Sequence, residues 1–398
     1  MEYVFAEMVL DTDRYLLQRE GEQVHVEPQV FDVLCYLAEN RERIVSREEL
    51  LDEIWGDRFV APATLTSRIK EARHAIGDDG TRQDLIETVR GRGFRFVADV
   101  EVRDAGRGSP TPTPLELDQQ IGFCTTDDGV HLAYATIGSG PPLVRAAHWI
   151  THLDYDWRSP VWRHWLEGLA RGRTLIRYDE RGCGLSDHDP AEMSLNAFVR
   201  DLEAVVDELQ LDRFPLIGLS QGGAVAVTYA HRHPEHVSHL VLVGAYPQGR
   251  WVRASDEETK QAAELELEMV RLGWGRDDPS FRRFFIERLI PDASTDLWEA
   301  FAELLRRTTS ATSAARILET TSHFDVTKAA SELEVPTLIL HAHDEIQVPF
   351  EQATMFAKLI RGSHLVALES SNHLMRPEEP AWAHFLAELD AFLSRTPS

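Results

Sequence analysis

A serine stands between glycines in Gly218-Leu219-Ser220-Gln221-Gly222, after the apolar run FPLIGL and before the helical run GGAVAVTYAHRH. That order puts a hydroxyl on a sharp strand-to-helix turn, with glycines where neighbouring backbone must pack close. A serine hydroxyl is a weak nucleophile until a base takes its proton, and the base needs a third group to orient it. Downstream, Asp344 follows the apolar run VPTLILHA and His373 follows SHLVALESS. Both fall just past the carboxyl end of a strand, where open α/β sheets place their sites. The chemistry this implies is acyl transfer: Ser220 attacks a carbonyl carbon, His373 relays the proton, and Asp344 fixes the imidazole tautomer. Glu345, His341 and His343 are the neighbouring competitors. A developing oxyanion needs N–H donors. The backbone of Gln221 supplies one, and Trp149 in the loop AAHWITHLDYDW is the choice for the other, with His148 shaping the loop. His148, His152 and Trp157 are candidates for the pocket. Cys183 has no histidine visibly arranged to activate it.

The elements that must position these residues are short apolar runs: HLAYATI, PPLVRAA, RTLIRYD, FPLIGLS, HLVLVGA, PTLILHA and HLVALES. Helical patterns such as 194–209 and 222–233 separate several of them, which predicts a mostly parallel sheet covered on both faces. Residues 250–330 break the rhythm as consecutive helices, in the place of a lid. Their Trp251, Leu272, Trp274, Phe284, Phe285, Leu289 and Trp298 predict an apolar pocket.

RYDERGCGLSD, residues 177–187, resembles the D-x-R-G-x-G-x-S turn of the α/β-hydrolase superfamily. With the elbow and the ordered acid and histidine, residues 121–394 resemble the C–C and ester hydrolase branch of that fold. The resemblance implies that Asp179, Arg181 and Ser186 build a loop. It also implies hydrolysis of an ester, lactone or C–C bond, with no cofactor and no metal. Members that use an aspartate nucleophile are excluded by the serine. Many members carry His-Gly in the oxyanion loop, where this chain has His148-Trp149.

The first hundred residues read differently. Short strands fill residues 1 to about 25. PQVFDVLCYLAEN follows with Pro28 at a helix start, where its missing N–H costs nothing. SREELLDEIWG opens with Ser46 three residues before Glu49, a capping box. APATLTSRIKEARHAIGDD is a third helix, and LIETVRGRGFRFV pairs two strands around a basic turn. This order resembles the OmpR/PhoB-type winged-helix domain over residues 4–98. The resemblance implies double-stranded DNA as a partner and two copies on paired half-sites, a homodimer. Thr64, Thr66, Ser67, Arg68, Lys70 and Arg73 are the recognition-helix candidates, and Arg90, Arg92 and Arg95 the wing candidates. Residues 61–95 hold seven Lys/Arg against five Asp/Glu, although the chain as a whole carries a formal charge of −25. Contact with DNA must therefore come from a local face, because distant charges are screened beyond about 8 Å.

The expected architecture is an α+β winged helix-turn-helix domain (1–100), a Pro/Thr linker (101–120) and an α/β-hydrolase domain (121–398) with a helical lid at about 250–330. Pro110, Pro112 and Pro114 mark the linker. No apolar run approaches the roughly 18 residues of a membrane span. The acidic start lacks the order of a signal peptide. Cys35, Cys124 and Cys183 form no framework, so a cytoplasmic location is expected. Three functions fit: a transcription regulator whose sensor hydrolyses its signal, a regulator whose hydrolase domain only binds it, or a hydrolase that uses its winged helix for assembly.

Overall fold

The computed structural model describes residues 2–395 apart from 7, 12–15, 20–21, 25, 27, 42, 56–61, 90–91, 99, 104–116, 277 and 279. The chain divides into two compact units, Met1–Thr113 and Pro114–Ser398.

In the first unit β1 (Glu2–Phe5), β2 (Met8–Asp11), β3 (Leu16–Arg19) and β4 (Glu22–Gln23) precede α1 (Pro28–Glu39), α2 (Arg47–Trp55) and α3 (Pro62–Ala75). The hairpin β5 (Ile86–Val89) and β6 (Gly93–Phe96) and the strand β7 (Glu101–Arg103) follow. The capping box forms as expected: Glu49 N–H donates to Ser46 Oγ at 3.0 Å, and Ser46 N–H to the Glu49 carboxylate at 3.4 Å. Leu65, Ile69 and Ala72 recur at helical spacing and bury one face of α3, and Ile76 just past its end is buried with them. Thr66, Ser67, Lys70 and His74 are left on the exposed face.

Two charged side chains join the end of α3 to the hairpin. Arg73 is buried and donates to the Ile86 carbonyl at 3.0 and 2.7 Å and to Thr88 Oγ1 at 2.8 Å. The buried Asp78 accepts the N–H groups of Asp79, Asp84, Leu85 and Ile86 at 2.7–3.1 Å. The sheet order is β4-β3-β2-β1-β7, all antiparallel. Because β7 pairs with β1, Glu101–Arg103 belong to this unit and not to the expected linker. Its other end is shortened too, since Gln119 already begins a strand of the second unit. Pro110, Pro112 and Pro114 lie outside the described residues.

The second unit is built on eight strands: β8 (Gln119–Thr125), β9 (His131–Gly138), β10 (Pro142–Ala146), β11 (Thr174–Tyr178), β12 (Phe214–Leu219), β13 (Val237–Val243), β14 (Thr337–Ala342) and β15 (His364–Leu368). Their order is β15-β14-β13-β12-β10-β11-β9-β8. The strands from β15 to β11 are parallel, and β9 and β8 are antiparallel additions. The seven expected strands are present. β8 was not expected, because QQIGFCT has no clean apolar run or alternation.

Six helices cover the sheet or flank it: α4 (Leu153–Arg158), α5 (Arg163–Ala170), α6 (Leu195–Glu208) and α7 (Gly222–Arg232) before the insertion, and α14 and α15 after it. The insertion between β13 and β14 holds α8 (Arg250–Arg253), α9 (Glu257–Gly273), α10 (Ser280–Leu289), α11 (Thr295–Thr308), α12 (Ala311–Ser322) and α13 (Thr327–Ser331). α14 spans Phe350–Leu359 and α15 Pro380–Leu393. Side-chain oxygens of Asp256, Ser294 and Ser310 start α9, α11 and α12. β11 and β12 lie on opposite sides of β10, so the chain changes direction there. A crevice opens at such a switch point beyond the strand ends.

Burial, the largest influence on Asp78, raises its pKa, but the four amides outweigh it and the net shift is downward. A carboxyl depressed in the folded state stabilises above its unfolded value and loses that contribution as pH falls through the folded one. The first unit is therefore expected to lose stability below about pH 4. Asp78→Ala should cost about 2–3 kcal/mol at pH 7 by stranding the amides and should flatten that acid dependence. Denaturant unfolding of the full chain across pH checks both.

Candidate active site and nucleic-acid interface

The strand β12 delivers Ser220 at its carboxyl end, and α7 begins two residues later. Ser220 has a φ of +53°, in the left-handed region, and its N–H donates to the Val243 carbonyl at 2.9 Å. The following glycines are required by contact. A Cβ on Gly222 would lie 2.6 Å from the Ala147 carbonyl oxygen, and one on Gly223 would lie 2.4 Å from the Ala245 Cβ. The elbow therefore packs between the ends of β10 and β13, with the amino end of the 11-residue helix α7 behind it. Such an end favours developing negative charge.

His373 is buried past the end of β15, and its Nδ1 is hydrogen-bonded to Glu345 Oε2. Asp344, the expected acid, does not take this place. The turn after β14 sends its side chain into solvent, where it pairs with His343 Nδ1 at 2.7 Å. Glu345 is buried and also lies 2.8 Å from His341 Nε2. That nitrogen is shared with the Val348 carbonyl at 2.9 Å. Burial is the largest influence on Glu345 and raises its pKa, but His373 and His341 outweigh it, so the carboxyl sits below its ordinary value. His373 Nε2 is buried without a hydrogen-bond partner among the described residues. It and Ser220 line one cavity of about 530 Å³, a size suited to a small-molecule ligand.

Around the elbow, Gln221 is buried, and its Nε2 donates to both oxygens of the buried Glu180 at 3.1 and 3.0 Å. Glu180 also accepts the N–H of Ile150, and burial raises its pKa well above the ordinary value. One carboxyl group thus braces the elbow and the loop after β10, the two segments that hold the Gln221 and Trp149 amides. His148 lines the cavity, stacks on Trp162 at 4.2 Å, and has Nδ1 3.2 Å from the Trp149 carbonyl. Burial, then the charge of Arg145, holds its pKa well below 6.5, so it is a neutral imidazole with Nε2 free to accept.

The other pocket candidates lie elsewhere. His152 is the N-cap of α4, accepting from Tyr155 N–H at 3.3 Å. Trp157 stacks under the Arg163 guanidinium at 3.7 Å. Neither is among the residues around the cavity. Asp179, Arg181 and Ser186 build the loop. Asp179 Oδ2 accepts the Leu153 and Leu185 N–H groups, Arg181 pairs with Asp201 and Asp128, and Ser186 bonds the Asp179 carbonyl. Cys183 is buried and its pKa raised well above the usual value, burial first among the causes. Of the expected lid residues, Trp251, Phe285 and Leu289 line the cavity. Leu272 and Phe284 are exposed, Trp274 donates to the Thr309 carbonyl, and Trp298 to that of Ile290.

Sequence reasoning missed Glu180 and Tyr246, another residue of the cavity wall. Tyr246 follows the end of β13, so the strand-end rule that found His373 was the available signal.

In the first unit, Thr66, Ser67 and Lys70 share the exposed face of α3, with Thr64 half-buried. Ser67 and Arg68 both bond Glu71, and Arg68 also bonds Gln29 at 3.2 Å. Arg92 is exposed at the hairpin turn, and Arg95 pairs with Glu87 at 2.8 Å. Arg73 faces inward and is removed from the DNA candidates, because its guanidinium is committed to the hairpin backbone. Arg90 lies outside the described residues.

Residues 155–380 match the alpha/beta hydrolase fold family, and residues 21–96 match the C-terminal domain family of transcriptional regulatory proteins. The chain is 26% identical over 273 residues to a pyrrolizixenacetamide deacetylase of Xenorhabdus hominickii, covering 66% of this chain and 94% of that one. It is 34% identical over 124 residues to the transcriptional regulator HilA of Salmonella typhi, covering 30% of this chain and 22% of that one. The esterase EaEST of Exiguobacterium antarcticum superposes with a TM-score of 0.58 at 26% identity, covering 69% of this chain and 99% of the esterase. No helix among the described residues is long and apolar enough to cross a membrane.

The geometry separates two adjacent carboxylates. Glu345→Gln is expected to lower the kcat for ester hydrolysis about 10³- to 10⁴-fold, through loss of the oriented imidazole. Asp344→Asn should stay within about threefold of the parent, as an exposed group away from the imidazole. Steady-state kinetics on an activated ester checks the contrast.

Proposed function

Since the chain belongs to the alpha/beta hydrolase fold family and carries a transcriptional-regulator DNA-binding domain ahead of it, we propose that it is a DNA-binding regulator whose C-terminal unit is a serine hydrolase for a small ester, lactone or C–C substrate. The observation that carries this reading is the shared cavity: a strained Ser220 and a His373 buttressed by buried Glu345 face the same space. His373 Nε2 takes the proton of Ser220 Oγ as that oxygen attacks the substrate carbonyl. The Gln221 and Trp149 amides receive the oxyanion. Collapse expels the leaving group with the proton from His373, and water then releases the acyl group by the reverse proton path. The Xenorhabdus and Exiguobacterium relatives are named as a deacetylase and an esterase, which supports acyl chemistry. Coupling a pocket to a DNA reader makes a sensor, and hydrolysis of the signal ends the response. The regulator is read as a cytoplasmic homodimer on paired half-sites.

A second reading, a receptor that binds its signal without turnover, draws on one observation. His373 Nε2 makes no hydrogen bond to Ser220 in this structure, although such bonds often tighten only when substrate is bound.

Nitrophenyl esters of short acids separate the two. Hydrolysis that falls at least about 10³-fold in Ser220→Ala supports the enzyme. No turnover across ester, lactone and C–C substrates leaves the receptor. Binding to the chain's own promoter should weaken with salt, and Lys70→Ala and Arg92→Ala should each reduce the salt slope by about one. Binding indifferent to both changes would make the first unit an assembly module.

A further inference from the structure

Arg250 and Arg253 of α8 line the Ser220 cavity, and Arg288 of α10 is near enough to lower the pKa of both. Their partners are unequal. Arg250 is ion-paired with Glu266. Arg288 is held by neutral groups, Gln347 Oε1 and the Ile346 carbonyl, each at 3.1 Å. Arg253 has a single long contact to the Gln248 carbonyl at 3.5 Å, and its guanidinium carbon lies 5.6 Å from the centre of the Tyr246 ring. Among the described residues no carboxylate lies within ion-pair distance of Arg253. The other acids nearby are already engaged or face outward. Glu345 serves His373 and His341, Glu268 and Glu319 hold Arg271, and Glu264 is exposed.

A guanidinium stays charged in a protein and offers five N–H donors in a fixed fork. Half-buried, with no carboxylate in ion-pair contact and only the charge of Glu345 acting on it from farther off, that of Arg253 carries a desolvation cost that an entering anion would repay. The planar fork matches a carboxylate. A cation presented inside the cavity of a chain with a net charge of −25 selects among ligands by charge, since the surrounding field repels anions that lack such a seat.

We propose that Arg253 is a specificity residue that binds a carboxylate on the substrate, so that the site acts on acyl compounds bearing a second, anionic acid group. This rests on the reading of the cavity as a hydrolytic site.

The test compares mono-4-nitrophenyl glutarate with 4-nitrophenyl valerate, esters of similar length that differ in charge. The wild-type kcat/KM should favour the glutarate at least tenfold. Arg253→Gln should reduce that ratio at least tenfold, chiefly by raising KM for the anionic ester, and Arg253→Lys should restore part of it. A wild-type preference for the valerate, or a ratio that Arg253→Gln leaves unchanged, overturns the proposal. Calorimetric binding of glutarate and of valeramide to the Ser220→Ala protein reads the same selectivity without chemistry. If neither ester is turned over but glutarate binds in an Arg253-dependent way, the hydrolytic reading fails and the anion site stands. If both esters are hydrolysed and glutarate binds no better than valeramide, the anion site fails and the hydrolase stands.

Discussion

Burying a carboxylate costs several kcal/mol unless charge and hydrogen bonds offset it, and Glu345 is buried behind the imidazole of His373. Its Oε2 is hydrogen-bonded to His373 beyond β15, and its Oε1 lies 2.8 Å from His341 Nε2 on β14. The pair of Glu345 and His373 can form only because Gly244 follows the end of β13. A Cβ there would come within 2.7 Å of His373 Cε1 and 3.0 Å of its Nδ1. Three neighbouring strands thus terminate around one imidazole. The order of those strands in the sheet, set by their continuous apolar runs, brings residues distant in the chain to one cavity.

A second set of buried charges supports the opposite wall. Arg177 pairs with Asp156, and Arg181 with Asp201, all with fully buried side chains. Glu180 lies between these pairs in sequence and reaches both the elbow side chain and the loop after β10. Ion pairs of this kind add little net stability, but they penalise any arrangement that leaves one member unpaired. Their effect here is positional: the loop geometry that presents the Gln221 and Trp149 amides is fixed by partners that have no alternative.

Much of this was legible in the residues, for physical reasons that also set the limit. The elbow could be read because glycine is demanded at close approach, and the structure places backbone or Cβ atoms within 2.6 Å of the missing side chains of Gly222 and Gly223. The capping box at Ser46 and Glu49 could be read because it is local. The choice between Asp344 and Glu345 could not, since adjacent residues in a turn point in different directions and no periodicity fixes which one faces inward. Arg73 illustrates the same limit in the first unit. Its spacing along α3 puts it on the inner side with Ile69 and Ala72, but a motif-based reading weighs its charge and not its face. β7 was lost in the linker because Glu101-Val102-Arg103, two charged residues around one valine, become a strand only by pairing with β1.

The left-handed backbone at Ser220 costs about 1–2 kcal/mol relative to a residue free of a Cβ clash. The fold therefore carries a standing cost to its stability at the position proposed as the nucleophile. Glycine or asparagine at that position would relax the backbone while removing the hydroxyl. Descent from enzyme to silent receptor would thus run downhill in folding free energy, and a lineage under no demand for turnover would have a thermodynamic incentive to make that exchange.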